Sequence, residues 1–215
     1  MIVSEYNFRV KERTVYSGFL LVISGFSGSG KDSVADKLQI EGWERVVTHN
    51  AGRDPRPGEV HGVHYYFVSN SEFERMKQEG ELLEYVDYAE TKKGTSRKEI
   101  TEKLATGKKL IWRIDPTAAA NVREIFLERM GKEAEEILQR TKVVFLRAES
   151  DEILLERARK RKKDEDLTVI ERRIREDNEM WERLKERFEH VIVNKENSLD
   201  ETVEAVRAIV SGFLV

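Results

Sequence analysis

The residues with the clearest chemistry lie in one run, Phe19 to Ser33, FLLVISGFSGSGKDS. An apolar stretch, Phe19 to Ile23, has the composition of a strand buried on both faces, and it empties into a glycine-rich turn ahead of Lys31. Gly25, Gly28 and Gly30 permit positive φ, which lets successive backbone N–H groups point towards one centre. Together with Phe26, Ser27 and Ser29 they make a loop whose amides suit phosphate oxygens. A helix starting at Lys31 adds partial positive charge at its N-terminus, and the lysine adds a full one. The spacing G-x-x-x-x-G-K is that of loops that hold the phosphates of a nucleoside triphosphate. The residue after the lysine is normally Ser or Thr, whose hydroxyl meets Mg²⁺; here it is Asp32, followed by Ser33. A carboxylate suits Mg²⁺ but sets negative charge beside the phosphates. The expectation therefore divides between Asp32 acting through the metal and Ser33 supplying the hydroxyl.

A second constellation begins at Arg53, in the string RDPRPGEVHGVHYYFVS. Two guanidinium groups among turn residues suit a phosphate ester, because the planar fork matches two oxygens at once. The string resembles the nucleoside-monophosphate-binding segment of guanylate kinases, R-x-x-R-x-G-E-x-x-G-x-x-Y-x-F-V. The resemblance extends over the phosphate loop, GELLEY (Gly80–Tyr85), the basic run RARKRKK (Arg157–Lys163) and HVIVN (His190–Asn194), leaving only residues 1–18 outside it.

That resemblance implies a P-loop three-layer α/β fold with a small nucleoside-monophosphate lobe and a lid. It implies transfer of a phosphoryl group from ATP, with Mg²⁺, to a nucleoside monophosphate, GMP first. Arg53 and Arg56 would grip the acceptor phosphate, Tyr65 would donate its hydroxyl to it, and Glu59 would hold the arginines. Glu84 would accept from the guanine N1–H and amine, with Thr95 contacting the same base. Lys31, Arg157 and Arg161 of the lid, and Arg173 on the next helix would serve the transferring group, and Asn194 would meet adenine. Several positions depart from the pattern. The D-x-D-x-Q-G stretch is Arg113-Ile114-Asp115-Pro116-Thr117-Ala118, so Asp115 alone remains for the acceptor and the metal. Lys93 stands for a tyrosine that reaches the acceptor phosphate, and His49, with Asn50 beside it, for a serine that reads guanine O6. These departures keep open a relative acting on ribose 1,5-bisphosphate, or a binding module without catalysis.

The elements that must position these groups follow from periodicity. Strands are expected at Phe19–Ser24, Trp43–Thr48, Lys109–Asp115, Lys142–Ala148 and His190–Asn194. Helices are expected at Ser33–Ile40, Ala118–Met130, Asp151–Lys160, Thr168–Glu189 and Leu199–Phe213. This alternation predicts a parallel sheet with helices on both faces, residues 19–48 and 96–215. Between them, residues 49–95 read as a small lobe, with short strands at His64–Val68 and Leu82–Tyr88 around a helix at Ser71–Gln78. Residues 157–168 read as the lid, and residues 1–18 as an appended arm.

Composition narrows the class. Among 215 residues, Lys+Arg 38 against Asp+Glu 41 leave a net charge of −3, which argues against a surface built for nucleic acid. The chain has no cysteine, so it has no disulfide and no thiolate metal site. Without an 18-residue apolar run or a leader pattern, a cytoplasmic protein is expected, working on small-molecule nucleotides away from membranes as a monomer or homodimer. His61 and His64 read as surface polar residues, and Trp112 and Trp181 as packing residues.

Overall fold

The computed structural model describes residues 14–88, 91–161 and 166–212, with the backbone alone for Tyr88, Thr91 and Arg161. In chain order the elements are β1 (Phe19–Gly25), α1 (Lys31–Ile40), β2 (Glu44–Arg45), β3 (Thr48–Ala51), β4 (Tyr65–Val68), α2 (Asn70–Gln78), β5 (Leu82–Tyr88) and β6 (Thr91–Ser96). They continue with α3 (Arg97–Ala105), β7 (Lys109–Arg113), α4 (Pro116–Ala120), α5 (Val122–Met130), α6 (Ala134–Leu138) and β8 (Thr141–Ala148). The chain closes with α7 (Asp151–Arg161), α8 (Leu167–Leu184), β9 (His190–Asn194) and α9 (Leu199–Ser211).

Five strands form a parallel sheet in the order β2-β7-β1-β8-β9. Successive side chains of a strand point to opposite faces, and β1 divides its apolar residues accordingly. Leu20 and Val22 enter a core with Trp112, Phe126, Phe145 and Trp181. Leu21 and Ile23 enter a second core with Val34, Leu38, Val203 and Val206 of α1 and α9. This is the expected layered α/β fold, and Trp112 and Trp181 are packing residues as expected, 1% and 8% exposed. The lobe is a four-stranded mixed sheet, β4-β3-β6-β5, backed by Phe73 and Met76 of α2.

Several expected elements change. The single strand at Trp43–Thr48 divides, because the chain leaves one sheet and enters the other: β2 pairs with β7, whereas β3 pairs with β4 and β6. At the crossing, the Val47 N–H donates to Glu99 Oε1 at 2.9 Å. The helix expected at Ala118–Met130 starts at Pro116, capped by the Asp115 carboxylate, and breaks at Asn121. The one expected at Thr168–Glu189 ends at Leu184 in a single 3₁₀ turn. Strand β6 and helix α3 have no counterpart among the expected elements. Of the arm, residues 1–13 lie outside the described residues, while Tyr16 is buried in the core and the Ser17 and Gly18 N–H groups donate to Leu104 O. The packed domain thus begins ahead of Phe19.

Candidate functional site

The phosphate loop joins the end of β1 to α1, and its glycines are required by geometry. Gly28 and Gly30 lie at φ 88 and 94. A Cβ on Gly30 would sit 2.1 Å from Asn194 Nδ2, and one on Gly25 2.3 Å from Leu146 O. Helix α1 has no side-chain cap at Gly30, so the N–H groups of its first turn face the loop's hollow without a helical acceptor. The loop is clamped from outside. Asn194 Nδ2 donates to Ser29 O at 2.9 Å while its Oδ1 accepts from Thr202 Oγ1 at 2.9 Å. Arg157, on α7, donates from Nη1 to Gly28 O at 2.9 Å.

Two cavities of about 420 and 400 Å³ open on the C-terminal edge of the parallel sheet, the edge at which open α/β sheets take ligands. The first is walled by Gly28, Gly30, Ser33, Arg157 and Asn194, the second by Tyr65, Glu84, Lys93, Arg113 and Asp115. Lys31 and Asp32 line both. The first-turn pair therefore lies at the junction of the two cavities.

On the lobe side, strand pairing sets which side chains face the second cavity. Thr48 pairs with Tyr65, and Lys93 with Val86, and all four line it. Glu84 Oε1 accepts from Thr95 Oγ1 at 2.8 Å, and Thr95 Oγ1 in turn accepts from Trp112 Nε1 at 3.0 Å. Burial pushes the Glu84 carboxyl up to about 7, and the Asp115 charge adds to the shift. Arg53 is held in a two-point fork by Glu59, Nη1 at 2.6 Å and Nη2 at 2.8 Å, and Glu59 Oε2 also accepts from the Arg56 N–H at 2.8 Å. The Arg53 fork and the Arg56 amide hold the Glu59 carboxyl down at about 2. Arg53 lies 5.5 Å from the Tyr65 ring centre and Lys93 5.3 Å, so one aromatic ring carries both cations.

Most of the expected residues gather around these two cavities. Arg53, Arg56 and Glu59 are not among the residues lining either cavity, and the Arg56 side chain is exposed. His49 does not line the second cavity. Strand alternation turns it to the other face of β3, where its ring packs 4.9 Å from Tyr66 and burial pulls its pKa down; Thr48 takes the cavity-facing place. Asp115 lines the cavity while its Oδ1 caps α4, accepting from the Thr117 and Ala118 N–H groups at 2.9 and 3.1 Å. Arg173 lies near Asp177, and the side chain of Arg161 lies outside the described residues, as do residues 162–165 of the lid. His61 and His64 each accept a backbone N–H, from Phe67 and Val60.

One residue escapes the sequence reading, and another, noted there only as a departure, gains a partner. Asp177 of α8 is raised to about 6 by burial, against the pull of Arg173 and Lys31, which places it beside the phosphate loop. Arg113 departs from the family motif, yet its guanidinium forms an ion pair with the Asp32 carboxylate.

Among the described residues no group of three or more His, Asp or Glu side chains could hold a metal ion by itself. No helix among the described residues is long and apolar enough to cross a membrane.

Comparison with known proteins places the chain in one family. The crystal structure of guanylate kinase from Anaplasma phagocytophilum shares the fold, with a TM-score of 0.58 at 24% identity, covering 92% of this chain and 87% of that one. A protein of Oryza sativa named Guanylate kinase 2, chloroplastic/mitochondrial, is 38% identical over 90% of this chain, which spans 64% of that protein's length. A Gloeobacter violaceus protein named Guanylate kinase is 36% identical over 88% of this chain and 85% of its own. The guanylate kinase family model matches residues 17–212, nearly the whole chain, and the chain belongs to the guanylate kinase family.

Proposed function

We propose that this chain transfers the γ-phosphoryl group of ATP to GMP, giving ADP and GDP. The observation that carries the reading is the pair of cavities meeting at Lys31 and Asp32, one edged by the glycine loop and the other by Glu84 with its Thr95 and Trp112 partners. Such a reaction needs little covalent chemistry from the protein, because the attacking group is already a phosphate anion. The loop amides and Lys31 hold the donor phosphates. Arg53, braced by Glu59, and Lys93, on the same aromatic ring, hold the acceptor phosphate. The Glu84 carboxylate accepts from the guanine N1–H and amine; adenine presents neither donor, and sites built on such bonds discriminate by about 10⁴-fold or more. Arg157, now on Gly28 O, lies within the donor cavity's wall and moves onto phosphate oxygens when they arrive. Ser33, on the donor side, would hold Mg²⁺ together with phosphates and water, and the ion when bound neutralises charge on the donor phosphates.

The test is ADP release, coupled to a dehydrogenase, with GMP, dGMP, AMP, UMP, CMP and ribose 1,5-bisphosphate in turn. Turnover with GMP and dGMP at least 100-fold above the rest is expected. Preference for the ribose bisphosphate would replace the acceptor, and no turnover with any of them would leave a binding module instead.

A further inference from the structure

The ion pair between Arg113 and Asp32 sits at the junction of the two cavities, and the reaction as set out above gives it no task. Arg113 ends β7 opposite Ile23 of β1, two residues before Gly25, and the two strand ends are tied by Ser24 Oγ donating to Ile114 O at 2.8 Å. Its side chain therefore starts from a fixed backbone and runs along the ligand-bearing edge of the sheet to the first turn of α1. It lines the acceptor-side cavity and not the donor side, whereas Asp32 lines both. The arginine is the more enclosed partner, its side chain 33% exposed against 60% for the aspartate.

We propose that Arg113 contacts the phosphate on the acceptor side of the junction and that Asp32 positions it. This rests on the reading that the acceptor-side cavity takes a monophosphate. A guanidinium carries five N–H donors in a fixed plane, and the pair with Asp32 engages Nη1, so holding the aspartate does not exhaust the fork. The remaining donors are on the side chain that faces the cavity, where an arriving phosphate is a stronger acceptor than water. The pairing also solves a problem that Asp32 creates. An unpaired carboxylate beside Lys31 would repel both the donor and the acceptor phosphates; paired with Arg113 it becomes a fixed anchor for a cation. Asp32 is thereby a positioning residue, and its carboxylate is committed to Arg113 rather than to the metal. A purely structural salt bridge between β7 and α1 is the competing account; an exposed pair of that kind contributes little to stability, and its removal would leave GMP binding unchanged.

The experiment is a double-mutant cycle on Arg113→Ala and Asp32→Asn, with Arg113→Lys alongside. It is read by steady-state kinetics, by calorimetric binding of GMP in the absence of metal, and by thermal unfolding. Arg113→Ala is expected to lower kcat/KM for GMP about 100-fold or more and weaken metal-free GMP binding at least 10-fold, with ATP affinity within 3-fold of the parent. Arg113→Lys should regain only part of the loss, because a point charge replaces a fork. Asp32→Asn should cost about 10-fold in the same parameters, and that cost should vanish in the Arg113→Ala background. Unfolding temperatures that stay together while binding changes support the proposal. An Arg113→Ala enzyme within 3-fold of the parent in GMP binding and turnover overturns the contact. An Asp32→Asn effect that persists without Arg113, or that falls on Mn²⁺ affinity, overturns the positioning role. A parent protein that turns over no monophosphate would sink the functional reading itself, a result separate from an active parent with an indifferent Arg113→Ala.

Discussion

Replacing Glu84 by glutamine should make the protein more stable and a worse enzyme, and the size of the first effect can be worked out. Burial, helped by the Asp115 charge, raises the carboxyl from an ordinary 4.5 to about 7, while the Thr95 hydroxyl pulls the other way. A carboxyl with a raised folded value takes up a proton on folding, so its ionisation costs stability as pH rises from about 4.5 to about 7, and the full cost stands above that window. The shift corresponds to roughly 3 kcal/mol at pH 8 and about 1 kcal/mol or less at pH 5. Glutamine keeps an oxygen for the Thr95 hydroxyl and carries no charge, so Glu84→Gln should gain that difference at pH 8 and little at pH 5. Urea unfolding followed by tryptophan emission at the two pH values measures it. Stability curves that run parallel, with no growing gap between parent and variant, would refute the assignment of the shift to burial. In turnover the same variant should raise KM for GMP and lose much of the preference over AMP. Because bound guanine favours the ionised carboxylate, GMP binding near pH 6 should release close to one proton more in the parent than in the variant, the release from the GMP phosphate being common to both. Calorimetry in two buffers of different ionisation enthalpy reads this directly.

Three further outcomes follow from the geometry. Asn194→Ala leaves Ser29 O and the Thr202 hydroxyl without their buried partner, and should cost about 1–3 kcal/mol in unfolding free energy and weaken ATP binding more than GMP binding. Glu59→Gln should loosen the Arg53 fork and raise KM for GMP several-fold with kcat nearly unchanged; since the parent carboxyl sits near 2, the ratio of variant to parent should be flat from pH 5 to pH 9. Ser33→Ala should weaken Mn²⁺ binding in the presence of ADP, read by electron paramagnetic resonance, and unaltered Mn²⁺ affinity would remove Ser33 as the metal's protein ligand.

The fold was legible where burial is the dominant force. Strand β1 is apolar because both its faces are covered, and the glycines after it are required by backbone conformation, so residue types and structure coincide there. Strand β6 reads TKKGTS because its inward groups are chosen for hydrogen bonding: Thr95 is fully buried yet serves Glu84 and Trp112, and no apolar alternation marks it. Helix α3 did carry a signal, Ser96 three residues before Glu99, whose N–H the serine caps; that pattern is a helix start. The candidate site was legible as a list of residue types but not as faces. The family pattern leads to His49, whereas the register of β3 against β4 and β6 decides that Thr48 faces the cavity. Asp177 lies in a run of charges, EDNE, where nothing local distinguishes it, and its approach to Lys31 is made by tertiary packing of α8. Asp32 and Arg113 each look like a separate departure from the motif, and only their contact relates the two.

The tie between Asn194 and Ser29 O spans 165 positions of chain. Helix α9, which supplies Thr202 behind it, also reaches α1 through Lys37–Asp200 and Arg207–Glu41. The glycine loop follows β1, yet part of its bracing comes from β9 and α9, which pack against it from far along the chain. A chain cut ahead of β9 would carry the full glycine motif and still hold it slackly, so the shape of the loop is a long-range property of the fold.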